Sequence, residues 1–207
     1  MFISFEGPDG SGKSTQIEAL AANLRAAGRE VVTVREPGGT AAGEKIRAIL
    51  LGDGGTVAVD PRADALLFNA SRAQLVADVI EPALARGAMV IADRFADSTL
   101  AYQGYGSGLP LDALRAIIRF ATAGRTPDLT LLLDLEASHG LARKSGSGRT
   151  RFEEGFDAAF HERVAAGFRA LAAAEPTRWH LLDARAERGV LTAQINTIVQ
   201  EALAAKR

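Results

Sequence analysis

The sequence predicts an α/β fold: a five-stranded parallel sheet flanked by helices on both faces. Three observations predict it. Short apolar runs alternate with longer helix-period segments along the chain, the pattern of βαβ units. A glycine-rich run, Gly7-Pro8-Asp9-Gly10-Ser11-Gly12-Lys13-Ser14, leaves the first apolar run and opens the first helical segment. The chain has 207 residues, 47% of them hydrophobic, which suits one domain built on a single core.

The elements follow in order. Phe2 to Glu6 reads as a strand. From Lys13 to about Ala27, Ile17, Leu20, Ala21 and Leu24 recur at helical spacing, and Gly28 stops the helix. Val31 to Val34 is a β-branched strand, followed by the turn Glu36-Pro37-Gly38-Gly39. Ala41 to Leu51 is helical. Pro61 suits the first turn of a helix that runs towards Ala85, with a bend expected near Pro82. Ala88 to Ala92 is a buried-type strand, Leu111 to Ala123 a helix, and Leu129 to Leu135 an apolar strand. Ala158 to Ala174 is an Ala-rich helix, Trp179 to Leu182 the last strand, and Val190 to Ala204 the closing helix. Ser145-Gly146-Ser147-Gly148 reads as a loop within one domain spanning 1–207, because a linker there leaves too small a C-terminal piece for a core.

Composition excludes several classes. There is no cysteine, hence no disulfide framework and no thiolate nucleophile. Three scattered histidines give no metal-binding spacing. Lys plus Arg total 24 against 25 Asp plus Glu, which argues against a nucleic-acid-binding surface. Only Lys13, Lys45, Lys144 and Lys206 are lysines; the other cations are arginines. No apolar stretch reaches the roughly 18 residues of a membrane span, and the N-terminus lacks the features of a signal peptide. A cytoplasmic protein is expected.

The run from Gly7 to Ser14 matches G-x-x-x-x-G-K-S/T in the strand–turn–helix context that motif requires. Glycines let backbone N–H groups turn inward around phosphate oxygens. The helix N-terminus adds partial positive charge. Lys13 brings a full charge to the β and γ phosphates, and Ser14 a hydroxyl for Mg²⁺. This predicts a nucleoside triphosphate ligand and a P-loop type of sheet.

Four further constellations can face the same crevice. Asp93 ends a buried strand, where ligands bind in open α/β sheets, and can hold Mg²⁺ through water; Arg94 can fork onto a phosphate. The alternative is a structural ion pair, and Asp134 is a second strand-end acid of the same kind. Arg35 precedes the Pro37-Gly38-Gly39 turn, where it either reaches the crevice or is solvated; Pro37 is a candidate for a cis bond. Phe68 and Arg72 lie one helical turn apart. They can stack on and hydrogen-bond to a base, or form an amphipathic helix with Phe68 in the core and Arg72 extending outwards. Arg143, Lys144, Arg149 and Arg151 bracket the Ser/Gly loop, as solvated charges or as a lid over phosphates.

Together these motifs resemble bacterial thymidylate kinases, in the nucleoside-monophosphate kinase group. The resemblance covers the phosphate-binding loop, Arg35-Glu36-Pro37-Gly38-Gly39-Thr40, Leu66-Leu67-Phe68 with Arg72, Asp93-Arg94-Phe95, Ser98-Thr99 with Ala101-Tyr102-Gln103-Gly104, Pro127-Asp128-Leu129-Thr130, and Arg151-Phe152-Glu153. It implies transfer of the ATP γ-phosphoryl group to dTMP with Mg²⁺, in a homodimer. On that basis Gly7, Pro8, Asp9, Gly10, Ser11, Gly12, Lys13, Ser14, Thr15 and Arg185 are expected to hold ATP. Asp9, Arg35, Pro37, Phe68, Arg72, Arg94, Ser98, Thr99, Tyr102 and Gln103 are expected around dTMP, with Tyr102 favouring deoxyribose. Ser14 and Asp93 are expected near the metal. Asp9, Lys13, Arg94, Arg143, Arg149 and Arg151 are expected to carry catalysis, the last three from a lid at about 140–153. Two positions depart from the family pattern: Gly10 stands where some members have Arg, and Thr150 where Asp is common. Another nucleotide or deoxynucleoside kinase is the nearest alternative, and a P-loop ATPase switch a more distant one.

Overall fold

The structure, a computed structural model, describes residues 1–51, 59–136, 139 and 156–205. Its sheet has five parallel strands in the order β2-β3-β1-β4-β5, as the alternating pattern requires. They are β1 (Phe2–Glu6), β2 (Val31–Arg35), β3 (Met89–Asp93), β4 (Leu129–Asp134) and β5 (Trp179–Asp183). Alternation along β1 divides its side chains between two faces. Ile3 and Phe5 pack with Ile17, Leu20 and Leu24 of α1 (Lys13–Ala26) and with Leu191 and Ile195 of the closing helix. Phe2 packs on the opposite face with Val90, Leu75, Ile80 and Phe95. Ser4 and Glu6 follow Phe2 onto that face; Ser4 bonds the Thr130 hydroxyl at 3.0 Å.

Helix α2 spans Ala41–Leu51 and α3 spans Pro61–Leu75. Asp60 caps α3 by accepting the Arg62 N–H at 2.9 Å, and Pro61 occupies the first turn, where no donor is lost. The expected irregularity lies one turn ahead of Pro82. Val76–Ile80 forms a π-helical turn before α4 (Glu81–Ala85). Pro82 lacks an N–H and its ring crowds the preceding turn, which a widened turn accommodates.

Sequence periodicity missed one stretch. Residues after β3 form a short helix, α5 (Ala96–Thr99), continuing as a π-helical turn at Leu100–Gly106. The later helices are α6 (Leu111–Ala121), α7 (Ala158–Ala174) and α8 (Arg188–Ala204). Helix α7 packs tightly on the π-helical turn. A Cβ at Gly106 would lie 2.6 Å from Phe160, and one at Gly167 would lie 2.6 Å from Tyr105. The two glycines thus let the backbones approach. The Asp97–Arg178 ion pair, at 2.7 Å and largely buried, ties α5 to the start of β5. No helix among the described residues is long and apolar enough to cross a membrane.

Candidate active site

Parallel register places Phe5 beside Asp93, and Arg35 beside Asp93 in turn. The loops leaving β1, β2 and β3 therefore emerge together. Between them lies a crevice of about 500 Å³.

The glycine-rich loop forms its floor. Gly7, Gly10 and Gly12 have φ of 133°, 78° and 91°, conformations that favour glycine. A Cβ on Gly7 would stand 2.4 Å from the Leu133 carbonyl oxygen. Gly12 precedes α1 with no side-chain cap and no acid in the first turn, so the helix N-terminus is left for an anion. Lys13 is buried and its Nζ donates to the carbonyls of Gly7 (3.0 Å) and Pro8 (2.9 Å) and to Ser11 Oγ (3.4 Å). Burial, with Arg94 nearby, lowers its ammonium to about 8 against the pull of Asp9, Asp93 and Glu6. Ser14 and Thr15 line the crevice beside it.

Asp93 and Arg94 leave β3 on the adjoining strand. The Ser14 hydroxyl donates to Asp93 Oδ2 at 2.9 Å. Arg94 takes φ of 69° and turns its guanidinium inward. Its Nη2 donates to Asp9 Oδ1 (2.8 Å) and to the Tyr102 hydroxyl (3.1 Å), its Nη1 to Ser98 Oγ (3.1 Å). Burial opposes its charge, but Tyr102, Asp9, Glu6 and Asp93 outweigh it and hold the guanidinium above the ordinary arginine range. Burial also raises the Tyr102 phenol, which donates to Asp9 Oδ2 at 3.3 Å.

The crevice narrows between α3 and α5. Arg72 does not extend into solvent. It is 1% exposed, with Nε and Nη2 forked onto Glu36 (2.7 Å at the shortest), Nη1 on Asn69 Oδ1 and Nη2 on Thr99 Oγ1. Burial raises the Glu36 carboxyl and the Arg72 guanidinium opposes that. Phe68 is half-buried and lines the crevice with Thr99, Tyr102 and Gln103; the Gln103 amide donates to Asp64 at 2.8 Å. The Glu36–Pro37 bond is cis, and Pro37 and Arg35 also face the crevice. Arg35 is exposed and paired with Glu44.

Sequence reading assigns no role to Glu36, Arg47 or Leu51, which also line the crevice. Arg47 bonds the Pro37 carbonyl at 2.7 Å; its signal was only a helix whose register points it at the turn. The side chain of Ser11 and the carbonyls of Gly7 and Pro8 accept from Lys13, and these three residues are not among those lining the crevice. Two of the expected residues lie apart from the crevice lining. Arg185 is exposed, paired with Asp183 at 3.0 Å, and lies outside the crevice lining. Asp134 is held by Arg169 at 2.9 Å. Arg143, Arg149, Arg151, Lys144 and Thr150 fall outside the described residues.

Comparison with known proteins agrees with this geometry. The family model for thymidylate kinase matches residues 5–195. The chain belongs to the thymidylate kinase family. It is 49% identical to a thymidylate kinase of Deinococcus radiodurans over 201 residues, 97% of each chain. It is 51% identical to one of Solidesulfovibrio magneticus over 191 residues, covering 89% of this chain and 91% of that one. A crystal structure of thymidylate kinase from Ehrlichia chaffeensis superposes with a TM-score of 0.78 at 33% identity, over 97% of this chain and 98% of that one. The fold and the class of activity are thus those of an ATP-dependent, nucleotide-binding transferase.

The lowered Lys13 has a testable consequence. A buried ammonium held at about 8 instead of 10.5 makes the unfolded chain bind more protons between those values. Stability from this group is therefore lowest below about pH 8 and rises towards pH 10.5. Lys13→Met is expected to stabilise the ligand-free protein at pH 7 by on the order of 2 kcal/mol, with the gain shrinking as pH rises through that window. Urea melts at pH 7 and pH 10 check it; a variant less stable than the parent at pH 7 would refute it.

Proposed function

We infer that this crevice transfers the γ-phosphoryl group of ATP to dTMP, giving ADP and dTDP. The observation that carries the reading is one continuous pocket. It joins a phosphate-binding loop with Lys13 to the Arg94–Asp9–Tyr102 cluster and then to the Phe68–Arg72–Thr99 end. Membership of the thymidylate kinase family supports it.

The residues divide the work. The backbone of Gly10, Ser11, Gly12 and Ser14 and the Lys13 ammonium hold the ATP phosphates. Lys13 exchanges its loop carbonyls for phosphate oxygens, and that anion offsets the cost of its burial. Arg94 receives the acceptor phosphate, with Arg35 at the rim. Phe68 stacks on thymine and Arg72 with Thr99 meets its polar edge, while Tyr102 and Asp9 face the sugar. An acceptor phosphate oxygen attacks the γ-phosphorus; the bond to the β–γ bridging oxygen breaks and its electrons leave with ADP. The acceptor is already ionised at pH 7, so no strong base is required. Catalysis is positioning and charge stabilisation. The Ser14 hydroxyl and Asp93 carboxylate, 2.9 Å apart at the loop, suit Mg²⁺, which takes a few hard oxygen ligands alongside phosphates and water. When bound, the ion neutralises phosphate charge. By resemblance, Arg143, Arg149 and Arg151 add charge from a lid, within one domain.

The homodimer implied by the resemblance has support in a surface. Helices α2, α3 and α6 pack side by side and expose Ile49 (53%), Leu66 (57%) and Phe120 (90%). Covering such side chains favours association. Phe120→Asp is expected to shift a dimeric parent to monomer in light scattering; equal masses for the two proteins would reject this face.

Activity is tested with a phosphoryl-transfer panel over nucleosides and nucleoside monophosphates. The expected acceptor is dTMP; a preference for a nucleoside or another monophosphate would replace the reading. Arg94→Ala is expected to lower kcat/KM for dTMP about 100-fold or more with an unchanged fold by circular dichroism. Phe68→Ala is expected to raise KM for dTMP about tenfold while leaving that for ATP within twofold; equal effects on both substrates would return Phe68 to a packing role.

A further inference from the structure

We propose that Glu6 is a positioning residue for phosphoryl transfer: it holds the turn that carries Arg94 and, through Ser98, the Arg94 guanidinium itself. The proposal rests on the reading of Arg94 as the group that receives the acceptor phosphate.

Glu6 ends β1 and is fully buried. Strand alternation sends its side chain to the face of Phe2 and Ser4, beneath the turn that follows β3. There its two oxygens do different work. Oε1 accepts the Phe95 N–H at 2.8 Å, fixing the backbone immediately after Arg94. Oε2 accepts the Ser98 hydroxyl at 2.5 Å, and Ser98 Oγ accepts from Arg94 Nη1 at 3.1 Å. One carboxyl thus grips Arg94 from behind, by its backbone and by its head. Arg94 needs this support. Its φ of 69° is unfavourable for a side-chain-bearing residue, and such a conformation persists only where surrounding structure enforces it. Capping one backbone N–H does not require a carboxyl, whose burial is costly. Reaching both the N–H and the hydroxyl takes a side chain of this length with two polar atoms at its end. Burial, with Asp97 adding to it, pushes the Glu6 carboxyl up to about 8, so a glutamine is close to it in both shape and charge near neutral pH.

The test uses the full chain with Glu6→Ala, Glu6→Gln, Arg94→Ala and the Glu6→Ala/Arg94→Ala double variant. Steady-state kinetics are measured on both substrates, with circular dichroism as a fold check. Glu6→Ala is expected to lower kcat/KM for dTMP about tenfold or more, leaving KM for ATP within about twofold. Glu6→Gln is expected to recover most of that loss. The double variant is expected to be no slower than Arg94→Ala alone, because Glu6 acts through Arg94. Should Glu6→Ala fail to fold, Glu6→Asp, too short to reach both partners, is expected to show the same selective loss. If Arg94→Ala is impaired while Glu6→Ala or Glu6→Asp keeps parental dTMP kinetics, the proposal is wrong. Losses that multiply in the double variant, or that fall equally on ATP, also overturn it and leave Glu6 structural. Parental kinetics in Arg94→Ala would instead remove the reading of Arg94 on which the proposal stands.

Discussion

β1 runs at the centre of the sheet with Phe5 beside Asp93 on one flank and Glu6 beside Leu132 on the other. Backbone hydrogen bonds on both sides lock that register, and a one-residue slip would turn Phe5 out of its core and Glu6 into it. The two turns that leave β1 and β3 must then emerge side by side. Neither has slack. At Gly7 the neighbouring strand's Leu133 carbonyl occupies the space of a side chain, and at Arg94 the backbone enters the left-handed region. The adjacency of the phosphate-binding loop to Arg94 is therefore a property of the sheet, not of flexible side chains.

That adjacency concentrates charge where water is scarce. Burial works against the ionised form of Lys13, with Arg94 adding to it and Asp9, Asp93 and Glu6 opposing it, and burial works against the ionised form of Glu6 as well. Buried charges without full compensation reduce stability. Bound phosphates would supply the counter-charge that the Lys13 ammonium lacks, so the cost of burying that group favours ligand. The chain's formal net charge of −1 is blind to this. Many acids sit in exposed pairs such as Glu30–Arg86 and Glu81–Arg125, which balance the sum without touching the crevice.

Legibility in the sequence tracked locality. The glycine-rich loop, the five strands and the long helices are periodic or contiguous patterns, and the structure places them within a residue or two. Ala96 to Gly106 was not legible, because its small residues carry no amphipathic stripe; its helix exists where Gly106 and Gly167 let α7 close on it. Arg72 shows the same limit. One face of α3 holds both Phe68 and Arg72, but whether the guanidinium turns in or out depends on Glu36, thirty-six positions away. Glu6 reads as the polar end of an apolar strand; its partners Phe95 and Ser98 lie beyond two intervening crossovers.

Arg72 and Arg94, two of the four arginines that line the crevice, need not do the same work. Arg72 and Glu36 have side chains 1% and 3% exposed and interlock through several bonds. Breaking such a pair would strand a buried charge, so Arg72 is fixed and can offer a ligand only a donor in a set position. That suits reading the edge of a base. Arg94 and Asp9 are 15% and 25% exposed, and Asp9 has Tyr102 as a second partner. The guanidinium can leave that carboxylate for a phosphate without abandoning it in an apolar core. On the proposed reading, the difference in burial separates selection from grip: the sealed pair supplies shape, and the accessible pair supplies exchangeable charge.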